Sequence, residues 1–96
     1  MSDARGRVEG THTDHDVQFY GLSTCVWCKK TRRYLEQAGV EFEFTYLDLL
    51  EGDERAEALA IVKKWNPDAT FPTLVVDGEK AVLGYKVEQI EECLGL

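Results

Sequence analysis

The sequence predicts an α/β domain in which helices cover a small mixed sheet of four strands, in the order β-α-β-α-β-β-α. Three observations predict it. Short aromatic and β-branched runs alternate with stretches of helical apolar spacing. Glycine, proline or aspartate stands at most of the changes between them. Asp77-Gly78, a turn-forming pair, joins two short apolar runs as a hairpin would.

Val17-Gln18-Phe19-Tyr20 is short and β-prone and stops at Gly21, so it reads as a first strand running into a loop of Ser23, Thr24 and Cys25. From Val26 to Ala38 the spacing turns helical. Cys28, Thr31, Leu35 and Ala38 share one face, and Gly39 follows as a C-terminal stop. Phe42, Phe44, Tyr46 and Leu47, interleaved with Glu43 and Thr45, make a second strand. A second helix, capped near Asp53, presents Ala58, Ile61, Val62 and Trp65 inward and ends at Asn66-Pro67. Thr73-Leu74-Val75-Val76 and Ala81-Val82-Leu83 form the antiparallel hairpin, and Val87, Ile90 and Leu94 define a closing helix. Residues 1–16 hold only three clearly apolar side chains, Met1, Ala4 and Val8, and read as a disordered polar tail ahead of a domain spanning 17–96.

The chain has 96 residues, enough for one core, and a net charge of -7. The tail carries -2 of this and the domain -5. An acidic chain argues against general affinity for phosphate backbones, so no nucleic-acid partner is expected. No stretch approaches the roughly 20 apolar residues of a membrane span, and the N-terminus is too polar for a secretory signal. A cytoplasmic location and no membrane partner follow as expectations. The three cysteines, Cys25, Cys28 and Cys93, are too few and odd in number for a disulfide scaffold, which points to redox chemistry or a metal.

Cys25-Val26-Trp27-Cys28 sits where a strand hands over to a helix. Unpaired backbone N–H groups at a helix start stabilise an anion, which makes Cys25 the candidate nucleophile. Cys28, one turn on and facing inward, is the candidate resolving thiol. Lys29, Lys30, Arg32 and Arg33 follow, four of the 11 basic residues, either as a solvated helix face or as a surface that favours the thiolate or meets an acidic partner. Zinc is the main competing reading for the pair. Its remaining ligands would have to be His12 and His15. Proline at Thr70-Phe71-Pro72-Thr73 marks the start of a strand, and by composition alone its peptide bond would be trans. Cys93, on the closing helix, reads as a small buried hydrophobe.

Together the Gln18-Phe19-Tyr20 strand, the Cys25–Cys28 helix start, Thr70-Phe71-Pro72, the Asp77-Gly78 hairpin and Gly84 before the last helix resemble the glutaredoxins of the thioredoxin-fold superfamily, from Val17 to the C-terminus. The resemblance implies a thioredoxin/glutaredoxin-like fold and a dithiol–disulfide oxidoreductase with Cys25 and Cys28 as catalytic residues. It implies that Pro72 is a cis-proline against the Cys pair and that Phe71 pairs with an extended substrate through its backbone. Val26, Trp27, Thr70, Phe71, Pro72, Gly84, Tyr85 and Lys86 are the substrate-binding residues it implies, with no metal ligand. No tightly bound cofactor is expected; glutathione or another low-molecular-weight thiol is the implied electron donor.

The chain also departs from the pattern. Gly21-Leu22-Ser23-Thr24 lacks the lysine that helps ordinary glutaredoxins bind glutathione, and Val26 replaces the usual proline. Leu83-Gly84-Tyr85-Lys86-Val87-Glu88-Gln89-Ile90 replaces the Gly-Gly-x-Asp loop and is similar to the Gly-Phe-Arg-Pro-Asp segment of the NrdH-type redoxins, which draw electrons from thioredoxin reductase. The expected partners are therefore disulfide-bearing proteins, with glutathione or thioredoxin reductase as reductant and the protein a monomer. An iron–sulfur or zinc-binding redoxin, and a non-catalytic binding module using the Trp27 and Phe71 surface, are the remaining alternatives.

Overall fold

The computed structural model describes residues 4–96. Strands β1 (Arg5–Val8), β2 (Val17–Gly21), β3 (Phe42–Tyr46), β4 (Thr73–Val76) and β5 (Lys80–Leu83) form one sheet in the order β1-β3-β2-β4-β5. Helices α1 (Val26–Gln37), α2 (Gly52–Trp65) and α3 (Val87–Leu94) lie against it, and a 3-10 turn, Leu47–Leu49, follows β3. β2 and β3 are parallel, joined by the α1 crossover, while the other three pairings are antiparallel. The sheet is thus mixed, as expected, but has five strands instead of four.

The additional strand, β1, comes from the segment expected to be a polar tail. Arg5 and Arg7 alternate with Gly6 and Val8, and the strand lies antiparallel on the outer edge of β3. Gly6 makes the close approach feasible, since a Cβ there would meet the Phe44 ring at 2.5 Å. Farther along, Gly10 lies on the backbone of Gly39 and Val40, and His12 bridges Val40. Residues 1–3 of the expected tail lie outside the described residues.

Period-two alternation decides which face of the sheet each strand residue covers. Val17 and Phe19 of β2, Phe42 of β3, Leu74 and Val76 of β4 and Val82 of β5 pack with Cys28 and Leu35 of α1 and Ile90 and Leu94 of α3. On the other face, Leu47, Leu50, Ala58 and Val62 form a second cluster that includes Tyr20, Leu22 and Phe71 at its margin. Leu35 and Ile90 are fully buried, and truncating either to alanine would cost about 2–5 kcal/mol.

Two element ends and one helix position differ from expectation. α2 starts at Gly52, after Glu51, which makes no side-chain cap; Asp53 instead stands in the first turn, where a carboxylate complements the helix dipole. Ile61, expected inward, is 45% exposed, because only Ala58 and Val62 of that helix are fully buried against the sheet. Leu47 leaves the strand for the 3-10 turn and remains buried. The β4–β5 hairpin turns through Asp77 and Gly78, both at positive φ, with the Glu79 N–H donating to the Val76 carbonyl at 3.1 Å, and three residues, 77–79, connect Val76 to its partner Lys80.

Candidate active site

The loop after β2 brings Cys25 to the N-cap of α1, with extended backbone angles, φ -84° and ψ 123°. Its sulfur takes the place of a capping oxygen and accepts a hydrogen bond from the Cys28 N–H at 3.3 Å. The Cys25 carbonyl accepts the first helical bond, from the Lys29 N–H at 3.0 Å. Val26, where a proline would have no N–H, leaves one more donor at the helix start. Cys25 is half-buried, whereas Cys28 is 1% exposed and receives the Leu22 N–H at 3.5 Å.

Burial pushes the Cys28 thiol up to about 12, and the hydrogen bond and charge of Cys25 act in the same direction, against the Leu22 N–H. The carboxylate of Asp48 adds to the rise. The two sulfurs are therefore unequal: one is accessible at a helix start and the other is kept neutral inside.

Two polar networks hold the loops around them. Ser23 donates to Asp48 through its backbone N–H at 2.9 Å and through its hydroxyl. Burial alone would raise the Asp48 carboxyl, but the Ser23 bonds, its own N–H and Arg55 bring it below the ordinary value. Arg55 of α2 donates to the carbonyls of Leu47 and Asp48, both at 3.1 Å. The second network centres on Asn66. Its buried amide donates to the Thr70 carbonyl, the Thr70 hydroxyl and the Thr73 hydroxyl, at 3.0, 2.8 and 3.3 Å. This fixes the segment that carries Phe71 and Pro72. The Phe71–Pro72 bond is cis, contrary to the expectation from composition and in line with the family resemblance. Ser23, Asp48, Arg55 and Asn66 were not among the expected site residues, and an Asn before a proline was the only local signal any of them offered.

The expected substrate-binding residues fall mostly along one groove. Trp27, Phe71, Gly84, Tyr85 and Lys86 line a depression of about 290 Å³, and the rings of Trp27 and Tyr85 stack with centroids 6.0 Å apart. Trp27 is 54% exposed and Val26 61%. Pro72 is buried and accepts the Gly84 N–H at 2.9 Å, which ties the two loops together. Thr70 is exposed but turned toward Asn66. Cys93 is half-buried against the core, less enclosed than expected.

The histidines do not join the cysteines. His15 contacts Asp77 at 2.7 Å and His12 bridges Val40, both at the start of β2 and β3, so the length of β2, about 17 Å, separates them from Cys25. Among the described residues no group of three or more His, Cys, Asp or Glu side chains could hold a metal. No helix among them is long and apolar enough to cross a membrane.

The sequence profile of the glutaredoxin family, Glutaredoxin, matches residues 17–81. The chain belongs to the glutaredoxin family. The glutaredoxin of Methanosarcina mazei Go1 is 46% identical, with a TM-score of 0.90 over 98% of this chain and 90% of that one. Methanoredoxin of Methanosarcina acetivorans is 48% identical, with a TM-score of 0.82 over 84% of this chain and 85% of that one. NrdH-redoxin of Escherichia coli, a glutaredoxin-like protein with a thioredoxin-like activity profile, is 26% identical, with a TM-score of 0.61 over 80% of this chain and 92% of that one. Glutaredoxins are thiol–disulfide oxidoreductases, and this member carries the Cys-x-x-Cys pair of a dithiol enzyme.

Proposed function

We propose that Cys25 is the nucleophile and Cys28 the resolving thiol in the reduction of protein or low-molecular-weight disulfides. The observation that carries this reading is the inequality of the pair: Cys25 Sγ caps α1 and accepts the Cys28 N–H, while Cys28 is buried beneath it. The Cys25 thiolate attacks one sulfur of a substrate disulfide, breaking that bond, forming a mixed disulfide and releasing the other sulfur as a thiolate. Cys28 then loses its proton to solvent and attacks Cys25 Sγ. The second substrate sulfur leaves as a thiolate, and two electrons have moved from the protein pair to the substrate. At that stage Cys25 no longer holds the charge that raises Cys28, so the resolving thiol ionises more readily when it must act. The backbone of Phe71 and the groove between Trp27 and Tyr85 support binding of the substrate as an extended strand.

Expected outcomes separate the roles. Cys25→Ser abolishes turnover, whereas Cys28→Ser accumulates mixed disulfides that mass spectrometry detects. Full activity of the Cys25→Ser variant would overturn the assignment.

A second reading concerns the donor. Family members use glutathione as reductant, but the segment Leu83–Ile90 lacks the usual loop and the NrdH-redoxin neighbour has a thioredoxin-like activity profile. Reduction of bis(2-hydroxyethyl) disulfide with NADPH, through glutathione and glutathione reductase or through thioredoxin reductase, decides between them. Turnover through the first supports a working glutathione site around Phe71, Pro72 and Lys86. Turnover through the second supports a thioredoxin-reductase-dependent redoxin.

A further inference from the structure

The groove beside Cys25 does not stop at Tyr85. A second depression, of about 270 Å³, also touches that ring and is lined by Lys30, Arg33, Tyr34 and Gln37 together with Tyr85. Trp27, Lys30, Tyr34 and Gln37 recur at three- and four-residue intervals and so share one face of α1. The two depressions share the Tyr85 ring and, with this helix face, lay out a track that starts at Trp27, two residues from Cys25, and follows α1 toward Gln37. Lys30 Nζ stands 4.8 Å from the centroid of the Trp27 ring, which holds a positive charge at the head of the track.

Among the described residues, the cations on this face form no ion pair: the ion pairs involve Arg7, His15 and Arg32, and none involves Lys30, Arg33 or Lys86. Arg32, on the same helix, turns the other way and lies over Phe44, paired with Glu36. Two acids near the track are on α3, Glu88 beside Lys86 and Glu91 near Tyr34, and Glu36 of α1 is engaged by Arg32. A ligand carboxylate is thus drawn to the α1 side. In a chain of net charge -7, unpaired cations gathered beside a reactive thiol mark a surface of opposite sign to the rest of the molecule.

We propose that this track docks an acidic segment flanking the disulfide of a protein substrate, bound extended over Trp27 and Tyr85 with its carboxylates facing Lys30 and Arg33. The inference rests on disulfide exchange at Cys25 as proposed above. Length favours a peptide: at 1.5 Å per residue, Trp27 to Gln37 spans about 15 Å. Lys30 lies about 7 Å and Arg33 about 12 Å along the helix from Cys25. An extended chain advances about 3.3 Å per residue, so the carboxylates fall about two to four residues from the reacting cysteine.

The test uses the full chain, reduced beforehand, in single-turnover reactions followed by tryptophan fluorescence. Three matched peptides each carry one cysteine as a mixed disulfide with 2-mercaptoethanol, flanked at positions two to four on both sides by Asp, Ser or Lys. Each turnover forms the Cys25–Cys28 disulfide and releases the peptide thiol and 2-mercaptoethanol. At low ionic strength the Asp peptide should react about 5- to 30-fold faster than the Lys peptide, a ratio that shrinks toward one in about 0.5 M salt. The combined Lys30→Glu and Arg33→Glu substitution should invert the ratio, and Lys30→Gln with Arg33→Gln should remove the preference. A ratio cancels any change in the intrinsic reactivity of Cys25. Net charge acting alone would favour the Lys peptide. Equal rates, a Lys preference, or an Asp preference unmoved by either double substitution would overturn the docking surface. Bis(2-hydroxyethyl) disulfide, which has no flanking segment, reports on the exchange chemistry itself; if the reduced protein fails to react with it, the underlying reading falls instead.

Discussion

At the Cys28 thiol, burial moves ionisation from an ordinary 9.0 up to about 12, so the folded protein holds this proton more tightly than the unfolded chain does. The sign of the effect on stability follows from linkage. Stability conferred by the neutral thiol is fully present below pH 9 and is lost as the pH rises from there toward 12. For the reduced protein, the urea midpoint should therefore fall more steeply between pH 9 and 11 than it does for Cys28→Ala, and parallel slopes would remove burial of this thiol as the cause. The inward position of Cys28 was legible from its spacing with Thr31 and Leu35. Its electrostatic surroundings were not, because Asp48 and Leu22 approach it through folds of the chain that no local spacing encodes.

Among the elements, the connection from β2 to α1 depends on a partner far away in sequence. Ser23 and Asp48 are 25 residues apart, and Arg55 links them onward to α2, so the loop that presents Cys25 is braced by the element on the opposite face of the sheet. Asp48→Ala removes both Ser23 bonds. It should cost about 1 kcal/mol in urea unfolding, because the carboxylate is exposed, and it should speed hydrogen exchange at the Ser23 amide while the amides of β4 remain protected. Unchanged exchange at Ser23 would show that the loop holds without this brace. Helices, hairpin and strand order along the chain were readable because each has its own period or turn chemistry. β1 was not: Arg5-Gly6-Arg7-Val8 offers a single large apolar side chain, and its pairing is decided by the unfilled edge of β3. Asn66 stops α2, as its place before a proline predicts, but its amide also holds the Phe71–Pro72 segment.

For the whole molecule, β1 closes the edge of the sheet next to β3, so its removal has consequences for association. A chain beginning at Val17 would uncover β3 and the Phe44 ring beneath Gly6. It should lose about 2 kcal/mol or more of stability and self-associate in light scattering, while its single-turnover rate with bis(2-hydroxyethyl) disulfide stays within about twofold. A monodisperse truncated protein of unchanged stability would mean that β1 protects nothing. The course of β1 also sets where the chain can be tethered. Arg5 lies across from Thr45, and the Ala4 carbonyl accepts the Tyr46 N–H at 2.7 Å, at the same end of the sheet as Gly21. Two strand spacings, about 10 Å, separate that point from the strand that delivers Cys25. α3 starts near the groove at Val87 and carries the C-terminus away from it. A redox reporter fused ahead of residue 1 would thus meet the nucleophile at high effective concentration through a short linker, whereas the same reporter fused after Leu96 would need a linker that also returns along α3, about 12 Å.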